Sequence, residues 1–200
     1  MLLKILSTQD KSDFLVIAEL IILCDKPLLC EGKKIEGFTF QTNFDNLTIQ
    51  KGVTDVALMD ELTKECNIDN FVNFSNLMNN GKGFFGTPIN ENVEKKLLRK
   101  LKKHPLQKLE ETTTRLGVAL EVLRDLLKDK KSEIPSVPKL QLFELMLVAL
   151  VDGNISSIQI QLLNEFTQHF KLENYVFTEL LERAEVTSRE INKTLTIILE

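Results

Sequence analysis

Leu142–Ala184 reads LFELMLVALVDGNISSIQIQLLNEFTQHFKLENYVFTELLERA. Gln141 to Val151 is apolar apart from Glu144, which predicts a helix buried on most of its surface. The run is about half the roughly 20 residues that a bilayer requires, so it reads as a core helix. Asp152-Gly153-Asn154 breaks the periodicity, and Gly153 suits the left-handed conformation that closes a helix. Ser156 and Gln159 then fit a capping box, with Ile155 and Ile160 placed as its hydrophobic staple. Ile158, Leu162, Phe166 and Phe170 follow at helical spacing, and Leu163 widens the stripe. Tyr175, Phe177, Leu180, Leu181 and Ala184 give a third helix.

An apolar helix ending in Val151-Asp152-Gly153-Asn154, followed by a capped amphipathic helix and another helix, resembles the tellurite-resistance TerB-like family. The likeness is strongest over Leu142–Ala184. It implies an all-helical domain of two related halves, a stress-response setting, and acidic residues at the helix corners that bind a metal ion. In the family pattern an acid stands seven residues after the Asp. Here that position is Gln159, with Ser156 and Ser157 between. A Gln closes a capping box but brings no negative charge to a hard cation. Asp152 and Asn154 remain as candidate metal ligands, and two side chains fall short of the six to eight oxygens Ca²⁺ prefers. The expectation is a structural turn and no cofactor, with a divalent-metal-responsive module as the alternative.

Outward from this stretch, Ser7-Thr8-Gln9-Asp10 offers N-caps for a helix from about Lys11 to Cys24, apolar nearly all round with Glu19 as its single charge. Two such helices suit the centre of a bundle. Asp25 closes the first as Asp152 closes the second, a weak internal repeat. Residues 31–50 carry few helical signals; Gly37–Phe40 alternates briefly, as a loop or short strand would. Asp45 to Cys66 reads as helical, with Val53, Val56, Ala57, Leu62 and Cys66 recurring. Phe71 to Met78 reads as a further short helix. Asn79 to Asn90, NNGKGFFGTPIN, is a loop; its glycines match G-x-G-x-x-G on paper but lack the preceding strand and immediate helix that phosphate binding needs.

Val93 to His104 predicts a helix with a chemical character. Lys95, Lys96, Arg99, Lys100, Lys102 and Lys103 crowd it, and Val93, Leu97, Leu98 and Leu101 form the opposite stripe. An anionic partner, such as a membrane surface, nucleic acid or an acidic protein, is the functional reading. A solvated face over a packed stripe is the plainer one, and no aromatic residues interleave as single-stranded nucleic acid would want. Thr113 to Lys130 gives another helix, burying Leu116, Ala119, Leu120, Leu123, Leu126 and Leu127. Residues 132–138 form a linker broken by Pro135 and Pro138. Thr187-Ser188-Arg189-Glu190 reads as a second capping box that opens a final helix with Ile191, Leu195 and Ile198.

Composition is that of an ordinary globular chain, 43% hydrophobic and 27% charged, and a net charge of −4 argues against a globally basic nucleic-acid binder. Cys24, Cys30 and Cys66 form no Cys-x-x-Cys pair, which suits reduced thiols. The start, MLLKILSTQDKSD, is too briefly apolar for a signal peptide, so the cytoplasm is the default address. Neither His104 nor His169 stands in a catalytic spacing, Cys24 reads as a core thiol, and Glu110-Glu111 suits a helix start. The expected architecture is one all-α, TerB-like domain over 1–200. It is a compact bundle of about seven or eight helices, in an N-terminal half (1–131) and a C-terminal half (139–200). The expected role is non-enzymatic: a helical module that binds another protein, with no small-molecule substrate.

Overall fold

α1 (Thr8–Leu23) and α5 (Ser136–Ala149) pack against each other at the centre of the molecule. Neither has a polar face. α1 buries Phe14, Leu15, Ile17, Ala18, Leu20, Ile21, Ile22 and Leu23, and α5 buries Leu142, Leu145, Met146, Val148 and Ala149. A helix apolar all round must be surrounded, so the amphipathic helices form the outer layer. In the computed structural model, residues 2–30, 32–34, 46–66 and 92–199 are described. The expectations for Gly37–Phe40, for a helix at Phe71–Met78 and for the loop at Asn79–Asn90 lie outside them.

Among the described residues there are seven α-helices and one small sheet, so the chain is an all-α bundle. The outer helices are α2 (Val53–Glu65), α3 (Val93–Leu101), α4 (Thr112–Leu127), α6 (Ser157–His169) and α7 (Asn174–Leu199). β1 (Leu28–Cys30) pairs antiparallel with β2 (Lys33–Lys34) on one side and β3 (Leu47–Ile49) on the other. Leu28 lies opposite Ile49 and Cys30 opposite Leu47, and all four side chains are buried. Gly32, at φ 77°, takes the left-handed turn into β2.

Several element boundaries differ from the sequence reading. The helix expected from Asp45 begins at Val53, because Leu47-Thr48-Ile49 alternates and pairs as β3 while Asp55 Oδ2 caps the Gly52 N–H at 2.7 Å. Its buried face is turned as well: Leu62 and Cys66 are buried, whereas Val53 and Val56 are exposed. The linker ends early, at Pro135; Pro138 sits buried in the first turn of α5, where a missing N–H costs nothing. In α4, Leu116, Leu120 and Leu126 are half-buried while Val118 and Val122 take core positions. The second capping box does not exist. α7 is continuous through Thr187, whose hydroxyl donates to the Arg183 carbonyl at 2.8 Å, a back-bond within a helix interior.

Candidate functional site

The Asp152 corner is built as the sequence suggests. Gly153 has φ 88° and its N–H bonds the Leu150 carbonyl at 2.9 Å, closing α5. Ser156 Oγ accepts the Gln159 N–H at 3.2 Å, and Gln159 Oε1 accepts the Ser156 N–H at 2.9 Å. The other end of the Gln159 amide is what the sequence could not show. Its Nε2 donates to the Ile21 carbonyl at 3.0 Å, tying the start of α6 to the last turns of α1. A carboxylate has no hydrogen to donate there.

Asp152 and Asn154 share the turn but face different neighbours. Asp152 Oδ2 meets Lys26 Nζ at 3.1 Å, and the same ammonium meets Asp55 Oδ1 at 2.8 Å. Burial alone would lower the Lys26 pKa, and the hydrogen bonds from Asp55 and Asp152 overcome it and hold the value up. The charge beside Asp152 is therefore an ammonium. Asn154 instead lines a cleft against α7. Among the described residues no three His, Cys, Asp or Glu side chains gather. This donor set does not fit a hard divalent cation.

Behind the corner lies a cation that the sequence reading passed over. Arg115 is 4% exposed, and its guanidinium donates to the carbonyls of Cys24 (3.0 Å) and Lys26 (2.6 Å). These are orphan acceptors at the end of α1. Glu110 completes the arrangement, accepting from Arg115 Nη1 at 3.3 Å and from the Leu28 N–H at 2.8 Å. Burial lowers the Arg115 pKa, with Glu110 opposing. The missed signal was its phase: Arg115 stands four before Ala119 and eight before Leu123, on the stripe that α4 buries.

The basic helix is partly neutralised. Lys100 Nζ sits 3.1 Å from Glu121 and 2.9 Å from Asp125, both on α4. Lys95, Arg99 and Lys102 are engaged in interactions of their own. Lys96 is half-buried and Lys103 is exposed. Val93, Leu97 and Leu101 are buried, so the apolar stripe packs as expected.

The thiols are poor candidates for chemistry. Cys24 is buried, its Sγ donates to the Ile21 carbonyl, and burial drives its pKa well above the ordinary value. Burial pushes Cys66 up to about 11. Both are thiols at neutral pH, and the thiolate is the nucleophile. His169 is exposed, with Nε2 at 3.0 Å from the Lys130 carbonyl.

One surface stands out. From Arg189 to Leu199 every residue of α7 is exposed, including Ile191, Leu195, Ile197, Ile198 and Leu199. Comparison with protein-family models, curated proteins and solved structures gives no match.

Proposed function

We propose that this chain is a non-enzymatic helical module that binds a protein through the free half of α7. The observation that carries the reading is the exposed apolar face of Ile191, Leu195 and Ile198, which are 52%, 47% and 70% exposed. Scattered apolar residues on a surface are ordinary, but three that recur at helical spacing on one exposed helix face mark a binding face. The resemblance of Leu142–Ala184 to the TerB-like family supports a stress-response setting, and the sequence suits the cytoplasm. No described helix is long and apolar enough to cross a membrane. Binding of an anionic surface by the Val93–Leu101 helix is the weaker reading, since Lys100 is already held by Glu121 and Asp125.

The test is affinity purification of the full chain from its native cell, beside an Ile191→Lys/Leu195→Lys variant. The reading expects reproducible proteins, further copies of this chain included, that the variant fails to retain. Recovery of no protein, or of the same set by both, overturns it.

A further inference from the structure

Glu144 lies in the middle of α5 and is 0% exposed. Its Oε1 accepts the N–H of Leu2, a bond across 142 positions of sequence. Its Oε2 has no hydrogen-bond partner among the described residues. At the end of α2, Glu65 Oε2 is buried in the same unpartnered way. A buried oxygen without a donor is costly, and a charged one is far more so.

The bond to Leu2 holds down a short piece of chain. Leu3–Ile5 form a 3₁₀ turn, closed by the Ile5 N–H on the Leu2 carbonyl and the Leu6 N–H on the Leu3 carbonyl, each at 3.1 Å. The turn packs on α5, with Leu3 and Leu6 buried and Leu2, Lys4 and Ile5 exposed. It is the smallest element against Glu144, and it can leave without unfolding a helix.

The proton on Glu144 decides whether the closed arrangement is tolerated. As a neutral acid, Glu144 still accepts from Leu2 through one oxygen while the other carries the proton. As a carboxylate it keeps the Leu2 bond and leaves a charged oxygen dry. Lifting the turn gives both oxygens water. Burial raises the Glu144 pKa, the Leu2 N–H and the chain's amino terminus lower it, and Glu65 raises it again. Lys11 of α1 acts on Cys66, next to Glu65, lowering a thiol that burial pushes up to about 11. That thiol stays neutral where a carboxyl titrates.

We infer that Glu144 is a proton-operated latch, which holds the Leu3–Ile5 turn on α5 while its carboxyl is neutral and lets the turn go when it ionises. On opening, the carboxyl gives its proton to water; on closing, it takes one back. The closed form binds the proton more tightly than the open one, in which the carboxyl is hydrated. Closure is therefore fully favoured below the ordinary carboxylate range and weakens as pH rises above it, by at most about tenfold per pH unit.

Hydrogen exchange at the Ile5 and Leu6 amides, divided by the intrinsic rate at each pH, reads the opening from about pH 5 to about pH 8. In the wild type, opening should rise by about tenfold or more over this range, while amides in the middle of α1 and α5 keep their protection. Glu144→Gln keeps an acceptor for Leu2 and cannot ionise, so its turn should stay closed at every pH. Glu65→Gln removes a like charge and should shrink the wild-type rise without abolishing it. Glu65 is half-buried at a helix end, so this second variant decides the matter even where the first does not fold. Wild-type opening independent of pH overturns the inference, as does an undiminished rise in either variant. Loss of protection in α1 and α5 together with the turn also overturns it, because the whole fold would then be opening.

Discussion

Gln159 shows how one side chain can be half legible. Its capping role follows from standing three residues after Ser156, and the bond to the Ile21 carbonyl required α1 to lie alongside. Gln159→Glu keeps the cap acceptor but aims a carboxylate oxygen at a carbonyl in a nearly dry position. We expect a loss of about 2 kcal/mol in urea unfolding at pH 7, larger than a capping defect alone, and partial recovery near pH 4, where the acid is protonated. Equal stability to wild type at both pH values would contradict the geometry. Glu19 gives the second prediction at this scale. Burial raises its pKa from 4.5 to about 7, with Lys51 pulling it down and Glu94 pushing it up. The folded chain holds this proton more tightly than the unfolded one. The associated stability is therefore fully present below about pH 4.5 and lost as pH rises through about 7. The shift corresponds to at most about 3 kcal/mol, which residual solvent contact trims to about 2. Glu19→Gln should flatten this part of the pH–stability curve; a slope unchanged in the variant would show that Glu19 is not its source.

At the scale of elements, the two candidate capping boxes separate cleanly. Ser156 begins a helix, so Ser156→Ala removes a bond to an orphan N–H and should cost about 1 kcal/mol. Thr187 lies inside α7, where its hydroxyl bonds the Arg183 carbonyl, so Thr187→Ala should change stability by less than about 0.5 kcal/mol. Thermal unfolding of both variants decides it; equal losses would place a helix start at Thr187. The same four-residue pattern occurs at both places. It initiates a helix after Gly153 has broken the chain, and it is absorbed at 187–190 because nothing upstream of Thr187 stops α7. A motif for starting a helix carries information only where the preceding helix has ended.

At the scale of the molecule, electrostatics join distant segments. Lys26 links the end of α1 to Asp55 at the start of α2 and to Asp152 after α5, and Arg115 gathers the free carbonyls behind it. Arg115→Met should therefore cost about 3–5 kcal/mol, because several buried acceptors and Glu110 lose one partner together. A loss below about 1 kcal/mol would show that water replaces the guanidinium there. Asp152→Ala should be milder, within about 1 kcal/mol, as its side chain is mostly exposed.

The sequence by itself determined that this chain is an all-α bundle around two apolar helices. A helix with no polar face has only one stable environment, and the Gly153 turn and Ser156 cap act within a few residues. Only the tertiary structure decided what the polar residues do. The sequence placed Asp152, Asn154 and the lysines of α3 on the surface as candidate ligands or anion binders. Their roles depend on what arrives from elsewhere in the chain: Lys26 beside Asp152, Glu121 and Asp125 beside Lys100, and the orphan carbonyls of α1 around Arg115. The end of α7 shows the same limit in reverse. Its apolar stripe is written at helical spacing, yet the stripe reads as core until the fold shows that, among the described residues, Arg189–Leu199 is exposed throughout.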